Sequence, residues 1–184
     1  MSYFDTEFLY LALRARSVGE VQEVEYVCNN IPEGETEPCG TKVMVPVDFT
    51  KMEFEVPEGH TRSIELTDQV VLNMNYPSFE YLEDYSKKIG QEGLPPDDMF
   101  DISLEYLAGL IDTVFTPDGV IKANDFTKEE AVEWLENLTE DNFLRIQQGY
   151  LNKSPKIAIK THFHCKKCGW EQDISLEGLE SFFD

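Results

Sequence analysis

The chain is short of most features that would mark an enzyme, a membrane protein or a nucleic-acid binder. Basic residues are scarce: 15 Lys and Arg stand against 36 Asp and Glu, for a formal net charge of −21. Phosphate backbones and anionic membrane surfaces are repelled by such a chain unless a local basic patch intervenes. The densest basic groups are Lys166–Lys167 and Arg14 with Arg16, too small to serve. Nucleic acid is therefore excluded as a partner. No apolar run approaches the roughly 20 residues needed to cross a bilayer, which removes the membrane as well. The opening MSYFDTEFLYLALRARSVGE has neither the basic start nor the small-residue cleavage site of a signal peptide, so a cytosolic product is expected.

Catalytic signatures are missing too. There is no G-x-S-x-G, no phosphate-cradling glycine loop and no H-E-x-x-H, and TPDGVIKAND does not have the spacing of a calcium loop. The carboxylates read as a solvated surface, and His60, in PEGHTRS, as an exposed turn residue. Nothing in the sequence points to an enzyme. Cysteine is sparse at four residues, and in a reducing compartment four cysteines are not expected to form two disulfides.

What is present belongs to a folded protein. A hydrophobic fraction of 41% and an aromatic fraction of 12% over 184 residues are enough for one domain with a sizeable core. Phe8, Leu9, Ala12 and Leu13 recur at helical spacing between Phe4 and Arg16, with Gly19 as a stop. Val24, Tyr26 and Cys28 then alternate as a strand does, and so do Val43, Val45, Val47 and Phe49. The two runs form a hairpin with an oversized loop. Residues 63–77 continue as extended structure. Leu82, Tyr85 and Ile89 mark a helix closed by Gly90 and the GLPPDD break. Leu104, Leu107, Ile111 and Val114 lie on one stripe and predict the most apolar helix over 101–115. TKEE at 127–130 is a capping box, with Phe126 placed as its hydrophobic staple, and Thr139 caps a further helix. The tail returns to β alternation through Ile157, Ile159, Thr161 and Phe163, then Ile174 and Leu176.

The cysteines fall at the tips of the two hairpins. Ten residues separate Cys28 from Cys39, 125 separate Cys39 from Cys165, and two separate Cys165 from Cys168. Cys39-Gly40 and Cys168-Gly169 match. In a zinc knuckle the residue after the second cysteine often needs a positive φ, which glycine adopts without penalty. A pair of cysteine-bearing hairpin tips is also the usual geometry of a zinc ribbon. The spacing predicts one structural Zn²⁺ per chain on Cys28, Cys39, Cys165 and Cys168, a filled tetrahedron with no open position for water. Three other readings are open. The thiols could be buried and metal-free. They could form a redox pair, although that motif puts a helix after its first cysteine. His162 or His164 could replace one of them.

The order CNN…CG, YPSFEYLEDY, LIDTVFTPDGVIKANDFTKEEAVEWLENLTEDNFLRIQQGYLNKSPKI and HCKKCGWEQDISLEGLESFF resembles the baseplate hub assembly proteins of T-even-like contractile-tailed bacteriophages. The likeness covers nearly the whole chain after about residue 18. Relatives often carry a longer segment ahead of the first helix, which is almost absent here. The resemblance implies a helical middle, a four-cysteine site, no enzymatic activity and a role in building the central hub. Implied partners are hub subunits or the tape-measure protein, met in the host cytoplasm during assembly or in the virion tail baseplate.

The resulting expectation is an α+β protein, a zinc-ribbon-like pair of β-hairpins joined by a mainly helical middle. It is read as a single domain over 1–184, with ribbon parts at 20–50 and 155–178, an extended segment at 51–77 and a helical part at 78–154. Leu179, Phe182 and Phe183 are candidate docking residues. The alternatives are a zinc-ribbon adaptor outside a phage tail and a thiol redox protein.

Overall fold

The computed structural model describes residues 1–178. In chain order it contains α1 (Tyr3–Val18), β1 (Val21–Val27), β2 (Lys42–Asp48), β3 (Glu53–Glu55), β4 (Ser63–Thr67), β5 (Val70–Met74), α2 (Phe79–Ile89), α3 (Pro96–Ala108), β6 (Ile111–Thr116), β7 (Gly119–Lys122), α4 (Lys128–Glu136), α5 (Glu140–Gly149), β8 (Lys156–His164) and β9 (Glu171–Glu177). Three single-turn 3₁₀ helices follow β2, β7 and α5. All strand pairings are antiparallel. The fold is mixed α+β. The chain gathers into two compact units, one of Phe4–Glu55 with the segment from Lys156 onward, the other of Met1–Tyr3 with Val56–Pro155.

In the first unit β1 and β2 make a two-stranded sheet, and β3, β8 and β9 a three-stranded one in the order β3-β8-β9. Strand β8 is central, and Ile157, Ala158 and Ile159 are all buried, as expected where both faces are covered. Pro46 has no N–H to give a ladder and sits in the two-stranded sheet, where its carbonyl accepts from the Thr161 hydroxyl of β8 at 2.9 Å. At the far end of this unit Glu55 stands opposite Lys156, so the chain leaves and re-enters at neighbouring positions.

Helix α1 forms where the periodicity put it, but the stripe that identified it is not the buried face. Phe4, Glu7, Leu11 and Ala15 are buried. Phe8, Leu9 and Leu13 are 48%, 49% and 59% exposed. Both sets have helical spacing, and only tertiary packing chooses between them.

The second unit holds a four-stranded sheet, β4-β5-β6-β7, and helices α2 to α5. Its core joins Leu72 and Met74 of β5, Leu104 and Leu107 of α3, Ile111 and Val114 of β6, Ala131 and Leu135 of α4, and Ile146 of α5. The capping box is as read: Thr127 Oγ1 accepts from Glu130 N at 3.2 Å, and Glu130 Oε2 accepts from Thr127 N at 2.7 Å. Phe126 packs against the core beside it. His60 is half-buried rather than exposed, with Nε2 2.7 Å from the Tyr76 hydroxyl and its ring stacked on Tyr76.

The mainly helical middle is corrected by β6 and β7. The stripe Leu104, Leu107, Ile111, Val114 does not lie on one helix: α3 ends at Ala108, Gly109 caps it, and Ile111–Thr116 is a strand. Ile111 and Val114 are both buried because the register of β6 against β5 shifts between Asn73 and Met74, which turns both side chains inward. The β-branched run IDTVFT was the available signal. GLPPDD is likewise not only a break, since its second proline opens α3 with Asp97 and Asp98 in the first turn, where they favour the helix dipole.

Gly109 lets the chain turn from α3 into β6 beneath Tyr81, whose hydroxyl is shared between the carbonyls of Glu105 at 3.3 Å and Tyr106 at 3.1 Å. A Cβ on Gly109 would lie 2.1 Å from that hydroxyl. The variant Gly109→Ala must displace a stiff, half-buried tyrosine. The expected loss is about 1–3 kcal/mol in urea unfolding, the usual cost of overpacking. Combining it with Tyr81→Phe, which removes the clashing oxygen, should recover part of that loss.

Candidate metal centre

Strand β1 runs directly into Cys28, and β2 starts one residue after Thr41. Strand β8 runs directly into Cys165, and β9 starts one residue after Trp170. The two tips close in the same way. Cys28 N donates to Thr41 O at 2.9 Å, and Gly40 N donates to Cys28 O at 2.9 Å. Cys165 N donates to Trp170 O at 2.8 Å, and Gly169 N donates to Cys165 O at 2.8 Å. Both glycines have positive φ, 64° at Gly40 and 73° at Gly169. The first tip is thus a C-N-N-C-G knuckle equivalent to C-K-K-C-G, interrupted after Asn30 by eight residues, Ile31 to Pro38. Cys39 N donates to Asn30 O at 2.7 Å and pinches that insert shut at its base. The long spacing therefore costs the knuckle nothing in shape.

The four sulfurs converge. Cys28 Sγ is 3.7 Å from Cys168 Sγ, Cys39 Sγ is 3.8 Å from Cys165 Sγ, and all four lie within 4.8 Å of one another. Disulfides, at about 2.05 Å, are absent. An ion held by four thiolates at about 2.3 Å would set the sulfurs about 3.8 Å apart along each tetrahedral edge. The donor set fits a soft or borderline divalent metal. Cys28 and Cys165 are buried and the other two partly exposed.

The surroundings favour thiolate at some positions and not at others. Backbone N–H groups of Cys168 and Lys167 bring Cys165 down to about 6, and the Thr41 hydroxyl, 3.2 Å from Cys39 Sγ, lowers Cys39. Burial pushes Cys28 up to about 12. Four sulfurs at this spacing cannot share several negative charges without a cation among them. Asn30 Nδ2 also reaches Cys168 Sγ at 3.7 Å. Asn30 and Thr41 were not singled out from sequence; their place beside the cysteines in C-N-N and C-G-T was the only cue.

The two histidines do not join the cluster. His162 and His164 face Asp173 and Glu171 across the β8–β9 pair, with Nδ1 to carboxylate distances of 3.0 and 2.6 Å, and both are largely exposed. No helix follows Cys165, so the arrangement a dithiol oxidoreductase uses is not built. Phe163, fully buried, packs between Tyr26 and Trp170 and forms an aromatic wall next to the cysteines. Leu179, Phe182 and Phe183 lie outside the described residues.

A family model described as T4 bacteriophage base plate protein matches residues 1–184, and the chain belongs to that family. No curated protein and no solved structure matches it significantly. Family membership and the four-cysteine cluster together describe a non-enzymatic baseplate assembly or structural protein, one that works with baseplate components in a phage tail.

Gly169 has open space around its Cβ position, so a substitution there meets only the backbone penalty of positive φ. Gly169→Ala is expected to lower stability by about 1–2 kcal/mol in denaturant melts, and Gly169→Asn by less, because asparagine enters the left-handed region more easily. Equal losses for the two would show that the φ argument is wrong.

Proposed function

We propose that the chain is a zinc-clasped subunit of the baseplate hub, or an assembly factor for it. In this reading the two cysteine-bearing hairpins form a zinc ribbon. Cys28, Cys39, Cys165 and Cys168 are the ligands of one Zn²⁺ per chain. With four thiolates the coordination shell is complete, so the ion has no open position for substrate or water and serves to hold the fold. The observation that carries the reading is the doubled knuckle closure, which gathers four sulfurs within 4.8 Å of one another, two of the pairs at the edge length of a thiolate tetrahedron. A net charge of −21 suits a partner with a basic face, and electrostatic complementarity of that kind raises the rate of correct encounter. The partners proposed are hub subunits or the tape-measure protein, met in the host cytoplasm while the baseplate is built.

Elemental analysis of the purified protein should give one zinc per chain and no visible absorbance, since iron in the same thiolate site would colour it. A chelator should unfold the first unit, because structural zinc contributes directly to folding. Metal-free protein with four freely titrating thiols at full stability would sink the zinc reading.

Thr41→Val and Asn30→Ala remove groups that touch sulfur without being ligands. Each should loosen zinc by roughly 10–100-fold in a chelator competition, with the coordination number unchanged.

The assembly role is tested by counting. Quantitative mass spectrometry of purified baseplate intermediates should find this chain in a fixed, symmetric ratio to the hub proteins. The same count in mature virions separates a resident subunit from a factor that leaves. Absence from both would overturn the role.

A further inference from the structure

The four-stranded sheet treats its two edges differently. The β4 edge is covered: Arg145 Nη1 of α5 donates to Glu65 O at 3.2 Å, and just ahead of β4 Thr61 N donates to Gly149 O at 3.0 Å. The β7 edge is open. Among the described residues β7 pairs only with β6, and all four of its residues are exposed. Proteins usually blunt such an edge with lysines, proline or a cover. Here the middle of the strand is Val120 and Ile121, 52% and 41% exposed, beside Phe115 of β6 at 40%.

The backbone of this edge is arranged to accept a strand. The β6–β7 hairpin closes through Pro117–Asp118 with Thr116 opposite Gly119, so pairing alternates and the amide and carbonyl of Val120 face away from β6. Lys122 has the same outward phase, and its N–H is indeed taken from outside the ladder, by Asp125 Oδ2 at 2.8 Å. Asp125 thereby ends the open stretch, which leaves Val120 as the free docking pair.

Directly beside it is an apolar pocket of about 230 Å³, lined by Val114 and Ile121 of the sheet and by Phe126, Ala131 and Trp134. That is below the roughly 300–1,000 Å³ of sites for drug-sized ligands and suits one or two side chains. A fifth strand laid along β7 would send alternate side chains to the face that holds the pocket. The one charged residue among its lining is Glu130, and the segment that supplies most of that lining is one-sided in charge. Residues 111–136 carry seven acidic residues against two lysines, and one of those, Lys128, is already paired with Glu105 at 3.0 Å.

We propose that β7 receives an extended, basic segment of a partner protein as an added strand, with one aliphatic or aromatic side chain of that segment seated in the pocket between Ile121 and Trp134. Main-chain hydrogen bonds at Val120 give the register, the pocket selects the anchor residue, and the acidic segment around β7 and α4 selects basic flanks. A second copy of this chain is disfavoured as the occupant, because two chains of net charge −21 repel. The site lies in the unit without the cysteines, so the proposal stands or falls separately from the zinc reading.

The test uses the full-length protein and a displayed library of random linear peptides, followed by affinity measurement on the synthesised winners. The expected winners are basic peptides with one large apolar residue, whose binding slows hydrogen exchange at Val120. Val120→Pro removes the outward N–H along with the valine side chain, and should weaken binding at least tenfold, about the worth of one backbone hydrogen bond. Ala131→Met fills the pocket while leaving β7 untouched, and should weaken binding at least as much; it keeps the test valid if the proline variant misfolds. The proposal is overturned if no peptide is enriched, if the winners are neutral or acidic, if protection appears elsewhere, or if both folded variants bind as the parent does. A concentration-dependent dimer abolished by Val120→Pro would assign the edge to a second copy and overturn it too.

Discussion

Everything in the first unit depends on bringing four sulfurs, two from each end of the chain, into one small volume. Sulfur at such spacing is unfavourable as free thiolate and unremarkable as metal ligand. The backbone prepares the site before any ion is considered. Each tip is closed by the same pair of hydrogen bonds around a left-handed glycine, so the cysteines are held by the ladder and need little further ordering. That is also why the unequal spacings, ten residues and two, give equivalent knuckles.

Much of this was legible in the chain. Alternation identified β1, β2 and β9 because each has one buried face, and β8 because its second half alternates toward Phe163 even though its first half is covered on both sides; the repeated Cys-Gly identified the two tips. The capping box at Thr127 was legible because it is local chemistry that depends on nothing distant. What was not legible had a common cause. The face that α1 buries and the end of α3 are decided by packing against segments far away in sequence. At 104–114 the apolar spacing fitted a helix almost perfectly, and the strand was visible only in the weaker signal of β-branching. The secondary contacts to sulfur from Thr41 and Asn30 were hidden for the same reason, since neither residue type is informative until the knuckle is folded.

The acidic surface has a different standing from the cluster. Many of the charged pairs on the protein are exposed, such as Lys42 with Glu25 and Lys160 with Glu53, and pairs of that kind contribute little to stability. Fifteen basic residues cannot neutralise 36 acidic ones, so most carboxylates have no cation of their own. The charge is then better understood as a property of what the protein meets than of how it holds together.

The pairing of Glu55 with Lys156 has a consequence for synthesis. The residues from Val56 to Pro155 leave and return between the paired strands β3 and β8, and with Met1–Tyr3 they make up one compact unit. A ribosome delivers this stretch before Cys165 and Cys168 exist. The middle of the chain can complete its own core while the first two cysteines wait, and in doing so it draws the two stems of the outer hairpin together. The sulfur cluster cannot assemble until Cys165 and Cys168 have followed, so its closure depends on a stretch of chain made after the whole of the middle.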